Sequence, residues 1–380
     1  MTSMQNPLNG GMCMRKGNKK WFAALLALSL SAVTALGCSG GNTSESTNSA
    51  PANSTAPSSQ PSASNDKKID IKIAHVLAED VTQHKMFLKL KELLEERSNG
   101  RFAVEIFPNA QMGGEREITE SVQMGSITIS APSVGQLSNF SEALKVFDLP
   151  FIFKDKETAY KVLDGEVGTE LLKGLESSGF IGLGFGENGW RQLTTKNGPI
   201  TSPDQIQGIK LRTMEVPLHM AFWKEIGASP TPLAFTEVFS ALSQGVVDGE
   251  ENPLQLIYSM KFHEPNKYIT MTSHIYDTEP LVINKAFMES LSAEDQQIIR
   301  DSAKEAITYL RDMNKEVDNM YREKLTSEGA VITDLTPEQL QVWVEKVKPI
   351  YSKYADEVGR DTLIKVLEAA GNTVALDSLK

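Results

Sequence analysis

Arg212 is the residue whose type and position most directly suggest a chemical function. Residues 209–212 alternate apolar and basic side chains, which predicts a strand with Lys210 and Arg212 on one side. One of these two cations can therefore face a cleft. A planar guanidinium donates two parallel hydrogen bonds to a carboxylate, a geometry that lysine cannot supply. Most arginines are exposed, so the pattern alone leaves a surface position open, but it indicates that the chain could bind an acid.

Residue sets for catalysis or for a resident cofactor are not visible in the sequence. Residues 184–189 match the GxGxxG pattern, but the residues after them favour a strand or an irregular crossing over the helix that a dinucleotide site needs. The five histidines show no metal-ligand spacing. Acidic pairs such as Glu250–Glu251 are interpreted as solvated surface. We therefore expect no enzyme activity, no cofactor and no metal site.

The composition excludes other classes of protein. The chain has 380 residues, of which 40% are hydrophobic and 23% charged, as in ordinary folded proteins. Its formal net charge of -11 opposes binding to a phosphate backbone. We therefore expect no nucleic-acid partner.

The amino-terminal 66 residues predict an export signal followed by a tether. Basic residues precede an apolar run at 21–36, so residues 1–37 are interpreted as a signal peptide. A short transmembrane anchor is the alternative, but as a helix this run spans about 24 Å against a hydrocarbon core of about 30 Å. Residues 35–38 resemble a bacterial lipobox, which implies lipidation at Cys38. Residues 38–66 are rich in Ser, Asn and Pro and predict a disordered tether.

The remaining residues, 67–380, predict two α/β lobes. Alternation at 69–73, a helical apolar face at 84–96 and alternation at 102–106 predict a β-α-β unit. A second unit begins at Ser202–Pro203, where serine can cap a helix and proline can occupy its first position. A capping pattern at Ser292 and helical periodicity to about Leu325 predict a helix about 50 Å long. Such a helix exceeds one small domain, so we expect it to run along both lobes.

Several ordered blocks of sequence resemble the substrate-binding proteins of tripartite ATP-independent periplasmic (TRAP) transporters, of the DctP type. The main blocks are WRQ at 190–192, IKLR at 209–212, GASPTPLAFTEV at 227–238 and GVVDGEENP at 245–253. FDLPF at 147–151 and HIY at 274–276 extend the resemblance along the body. The resemblance implies an α/β, bilobed periplasmic-binding-protein-like fold with hinge strands and a long helix spanning both lobes. Lobe I is expected at 67–188 and 278–317, and lobe II at 189–277 and 318–380.

The same resemblance implies a function. The resemblance implies an extracytoplasmic receptor that closes on a small organic acid, such as a C4-dicarboxylate or a sugar acid. The receptor is expected to deliver this acid to an ion-gradient-driven TRAP permease. A monomer is expected, in contact with the membrane only through its lipid anchor. Two alternatives stay open: the same receptor as sensory input for a signalling partner, and a secreted hydrolase, which the missing nucleophile and base disfavour.

The resemblance also implies roles for four residues. Arg212 matches the arginine that pairs with the ligand carboxylate, and Arg191 matches a second, more variable cationic position. Asn252 and Phe235 match residues that line the cleft; without the resemblance they are a turn residue before a proline and a core aromatic.

Three further candidates come from position. His75 follows the first predicted strand and Gln136 lies near a possible strand end, and α/β proteins bind ligands beyond the carboxyl ends of strands. Glu215, three residues after Arg212, is a candidate for selecting a polyhydroxy ligand, with a solvent-facing position as the alternative.

Overall fold

The computed structural model describes residues 68–380. The predicted signal peptide at 1–37, the predicted lipidation site Cys38 and the predicted tether at 38–66 lie outside the described residues. Between residues 68 and 380, none of the helices combines the length and the apolar character needed to cross a membrane.

Two β-sheets organise this part of the chain. The strands are β1 (Ile69–Ala74), β2 (Phe102–Phe107), β3 (Ile129–Ser130), β4 (Phe180–Trp190), β5 (Gln192–Thr195), β6 (Lys210–Thr213), β7 (Ser229–Pro232), β8 (Gly249–Asn252), β9 (Tyr268–Met271), β10 (Tyr276–Asn284) and β11 (Val331–Asp334). The first sheet has the order β2-β1-β3-β10-β4, and the second has the order β11-β9-β5-β8-β6-β7.

Helices cover both sheets. They are α1 (Thr82–Arg97), α2 (Glu115–Met124), α3 (Val134–Ser138), α4 (Lys156–Leu163), α5 (Glu166–Gly174), α6 (Pro217–Glu225), α7 (Val238–Ser243), α8 (Leu254–Ser259), α9 (Lys285–Ser290), α10 (Ala293–Met313), α11 (Val317–Ser327), α12 (Pro337–Val358), α13 (Arg360–Ala370) and α14 (Thr373–Asp377). Short 3-10 helices lie at Glu142–Asp148, Leu175–Ser178, Pro203–Ile206 and Phe235–Glu237.

Both predicted β-α-β units are present. In the first sheet β1 and β2 pair in parallel, with Ile69 opposite Phe102, and α1 connects them. In the second sheet β6 and β7 pair in parallel around α6. Ser202 begins a 3-10 turn ahead of β6 and its side chain accepts a hydrogen bond from a backbone N–H of that turn. The structure is therefore the predicted bilobed α/β fold.

The chain crosses between the sheets through short segments. β4 of the first sheet ends at Trp190 and β5 of the second begins at Gln192, so Arg191 alone lies between them. The return runs through residues 272–275, between β9 and β10. These crossings correspond to the predicted hinge strands.

The glycines of the GxGxxG segment belong to β4, which agrees with the strand or irregular crossing predicted from the sequence. Gly184 has φ +150°, and a Cβ there would lie 2.7 Å from Ile307 Cδ1 of α10. The glycine therefore permits close packing of this helix on the sheet.

The long helical segment after residue 292 is divided in two. α10 packs against α1 beside the first sheet, and α11 packs against α8 beside the second. Residues 314–316 interrupt the helix that the periodicity predicts as continuous. The lobe boundaries stay a prediction; α13, in the range expected for lobe II, contacts α4, in the range expected for lobe I.

Candidate functional site

A cavity between the two sheets brings together residues from distant parts of the sequence. Its volume is about 30 Å³, room for about two water molecules. Five of the sequence-predicted residues line it: His75, Arg191, Arg212, Phe235 and Asn252.

Gln136 and Glu215 do not line this cavity. β3 ends at Ser130, so the strand-end argument selected a residue of the following helix, whereas Ser130 and Ser133 reach the cavity. Glu215 is half-buried two residues beyond β6, and Met214 before it lines the cavity.

Arg212 is a buried cation with an unused donor. Its side chain is 1% exposed. Nε and Nη2 both donate to the carbonyl oxygen of Leu233, at 3.1 and 2.9 Å. Nη1 has no hydrogen-bond partner among the described residues. Burial, and then repulsion from Arg191, lowers the pKa of Arg212 to about 10, so the group stays charged at neutral pH.

Arg191, the hinge residue, is by contrast held by protein acceptors. Nε donates to Glu251 Oε2 at 2.5 Å and Nη2 donates to Glu251 Oε1 at 2.9 Å, a bidentate pair. Nη1 donates to Asp277 Oδ2 at 2.6 Å, and Nη2 also donates to Asn252 Oδ1 at 3.2 Å. Arg191 therefore ties β8 and β10 together at the crossing, and its charge is offset by two carboxylates.

The interpretation of Glu250–Glu251 as solvated surface is wrong. Both residues are fully buried, because β8 lies between β5 and β6 in the interior of its sheet. Glu250 Oε1 accepts from the Thr194 hydroxyl at 2.8 Å, and Oε2 accepts from Asn252 Nδ2 at 2.6 Å. Burial raises the pKa of Glu250 to about 7, despite these hydrogen bonds. The sequence indicates a surface position for two adjacent acids, because their burial depends on the order of the strands in the sheet.

The pKa of Glu251 moves in the opposite direction. Burial by itself favours the neutral acid, but Arg191 and the hydrogen bond with His274 outweigh it and hold the pKa of Glu251 well below its usual range. The pair of Arg191 and Glu251 is thus ionised at neutral pH.

His75 lines the cavity as a neutral side chain. It follows β1, its Nε2 lies 3.0 Å from His84 Nδ1, and its ring stacks on Phe87 with centroids 5.2 Å apart. Burial, and then His84, lowers the pKa of His75 to about 3. His75 Nδ1 has no partner among the described residues.

Three acidic residues of the cavity were not selected from the sequence. They are Glu115 at the start of α2, and Asp277 and Glu279 on β10. Burial raises the pKa of Asp277 and raises that of Glu279 further above its usual value. The available signal was two acids spaced by two residues within a largely apolar strand, which places both on one face of that strand.

Comparisons with known proteins agree with this architecture. Residues 73–357 match the family described as bacterial extracellular solute-binding protein, family 7 (DctP). A solute-binding protein of Verminephrobacter eiseniae is 37% identical over 276 residues, which are 73% of this chain and 82% of that protein.

Two solved structures resemble most of this chain. The sugar acid binding protein DctPAm from Advenella mimigardefordensis, in complex with galactonate, has a TM-score of 0.78 and 31% identity, over 80% of this chain and 98% of that chain. A TRAP periplasmic solute binding protein from Shewanella oneidensis, with bound succinate, has a TM-score of 0.76 and 32% identity, over 82% and 100%. The chain therefore belongs to family 7 of the bacterial extracellular solute-binding proteins, the DctP family of TRAP-transporter substrate-binding proteins.

Proposed function

We propose that the protein is a receptor that binds a small organic acid between its lobes through the guanidinium of Arg212, and delivers the acid to a TRAP permease. The observation that carries the proposal is that Arg212 lines the cavity and that its buried Nη1 has no acceptor among the described residues. Buried polar groups ordinarily have partners, and a buried charge without one is costly. A ligand carboxylate would supply the missing acceptor.

The orientation of Arg212 suits this role. Leu233 O takes hydrogens from Nε and Nη2 on one side of the guanidinium. The end of the group keeps both Nη1 hydrogens and the second Nη2 hydrogen, a fork that matches the two oxygens of a carboxylate. The carbonyl also restrains the side chain before the ligand binds, which reduces the entropy lost on binding.

Neighbouring residues would shape the rest of the site. Asn252 accepts from Arg191 and donates one amide hydrogen to Glu250, which leaves its second amide hydrogen for a ligand. Phe235 is half-buried and packs edge-on against Phe262, with centroids 5.8 Å apart, so it can cover an apolar face of the acid. The cavity is lined by residues of both sheets, many of them buried, so the lobes would have to move apart to admit an acid.

A thermal-shift screen of organic acids tests the proposal. Succinate and galactonate, the ligands in the two related structures, share a carboxylate, and we expect an acid of this kind to raise the melting temperature. At 100 times its dissociation constant a ligand stabilises the folded protein by about 2.7 kcal/mol. A screen in which only uncharged sugars or amines stabilise the protein would exclude the acid receptor.

The location of the receptor depends on Cys38, which we propose carries a lipid that anchors the protein on the extracytoplasmic side of the membrane. Replacement of Cys38 by serine should release the protein from the membrane or leave it unprocessed, because serine has no thiol to acylate. Metabolic labelling with a fatty-acid analogue measures this. Label that persists in the Cys38→Ser protein would place the anchor at another residue.

A further inference from the structure

Among the described residues, the buried polar atoms of the cavity that lack a hydrogen-bond partner include several acceptors and one cationic donor. We infer that the bound acid carries one carboxylate and several hydroxyl groups, as an aldonic acid does, and that the site discriminates against dicarboxylates. This inference rests on the proposed function, since it takes the carboxylate of the ligand to lie on Arg212.

Among the described residues that line the cavity, one positive charge is available to a ligand. Among the described residues that line the cavity, the cations are Arg191 and Arg212, since burial keeps His75 neutral. The charge of Arg191 is already offset by Glu251 and Asp277. A first carboxylate therefore pairs with Arg212, and a second would have no cation to pair with.

Besides Arg212 Nη1, the buried cavity atoms without a hydrogen-bond partner among the described residues are mainly acceptors. Gln83 Nε2 donates to the carbonyl oxygen of Ala131 at 2.9 Å, which leaves Gln83 Oε1 without a partner. Asn188 Nδ2 donates to Asp277 Oδ2 at 3.0 Å, which leaves Asn188 Oδ1 without one. Both amides line the cavity and are about 95% buried or more. The hydrogen bond of each nitrogen fixes which way the amide points, so each oxygen still needs a donor, which a ligand could supply.

Two carboxyl groups add to this set. Glu279 Oε2 is buried without a partner. Glu115, which also lines the cavity, accepts the backbone N–H of Ser133 through Oε1 at 2.5 Å. Burial raises the pKa of both side chains. A second ligand carboxylate beside them would lose its hydration without gaining a cation, whereas a hydroxyl group can hydrogen-bond to these side chains in either protonation state.

Hydroxyl groups of a ligand complement these acceptors, because each hydroxyl donates one hydrogen bond and needs no counter-charge. A ligand ammonium group could also donate to these acceptors, but its three N–H donors all lie on one atom. The acceptors come from α1, α2, β4 and β10, so several hydroxyls along a chain match them better than one ammonium.

Calorimetry with ligands of matched length tests the inference. In the four-carbon and six-carbon series the probes are an aldonate, the dicarboxylate, the unsubstituted monocarboxylate, the ω-amino acid and the neutral polyol. We expect one of the aldonates to bind at least about 100-fold more tightly than the other members of its series, because a site built to bond hydroxyls strongly rejects analogues that lack them.

The outcomes separate this inference from the proposed function. Tighter binding of the dicarboxylate, the unsubstituted acid or the ω-amino acid overturns the inference and leaves a carboxylate receptor. Binding of the polyol alone, or of none of the probes, counts against the carboxylate receptor itself and removes the inference with it.

Glu115→Gln provides a test within the site. The glutamine oxygen can still accept the Ser133 N–H, but its NH₂ group then replaces an acceptor of the cavity by a donor. We expect the ratio of aldonate to dicarboxylate affinity to fall about 10-fold. Glu117→Gln is the matched control, since Glu117 is exposed on the same helix. A ratio within threefold of wild type in a folded Glu115→Gln protein contradicts the selection of hydroxyls by these acceptors.

Discussion

Replacement of Arg212 by methionine is expected to weaken binding of the organic acid by about 30-fold to several thousand-fold. This corresponds to about 2 to 5 kcal/mol, the range for removing one partner of a buried charged pair. The unliganded protein should keep its stability, because Arg212 is buried without a carboxylate partner and methionine fills a similar volume. Calorimetry for binding and thermal unfolding for stability measure the two effects.

Arg212→Lys separates geometry from charge. Lysine keeps a positive charge but loses the fork, so we expect it to bind the acid poorly as well. Lys210→Met is the matched control: Lys210 lies on the same strand but is exposed, and its loss should leave affinity within threefold. If folded Arg212→Met and Arg212→Lys proteins both bind the acid within threefold of wild type, Arg212 is not the carboxylate ligand.

The same exchange at the other buried arginine, Arg191, should reduce the stability of the fold. Arg191→Met removes the cation between Glu251 and Asp277, both buried. Breaking a buried ion pair by removing one partner costs about 3–5 kcal/mol. We expect a loss of this size in the free energy of unfolding, measured by urea denaturation at neutral pH. Arg360→Met, at an exposed arginine paired with Asp356, should cost less than about 1 kcal/mol.

The pH dependence distinguishes loss of the ion pair from loss of packing. In the wild type, Arg191 and His274 hold the pKa of Glu251 below its model-peptide value of 4.5, so their contribution is fully present above that pH and is lost as the pH falls further. Without Arg191, burial raises the pKa of both acids, and protonation then stabilises the folded variant as the pH falls. The deficit relative to wild type should therefore be smaller at pH 5 than at pH 7.5. A deficit that is the same at both values would indicate lost packing instead.

The sequence by itself determined the fold class and identified Arg212 as a candidate carboxylate ligand. Period-two alternation around Ile71 and Val104, and helical periodicity between them, are local patterns, so the β-α-β units could be predicted without tertiary contacts. The ordered blocks around Arg212 indicated the family, which the comparison over residues 73–357 confirmed. The break at 314–316 was not visible, because the helical periodicity continues across it.

Only the tertiary structure decided which charges are available to a ligand. The sequence does not distinguish the surroundings of Arg191 from those of Arg212. In the structure, Arg191 pairs with Glu251 and Asp277, which lie 60 and 86 residues away along the chain, and Arg212 pairs with neither. The same strand order buries Glu251, whose neighbours along the chain suggest a surface position. Burial and ion pairing are set by residues far apart in the chain, and local patterns carry no information about them.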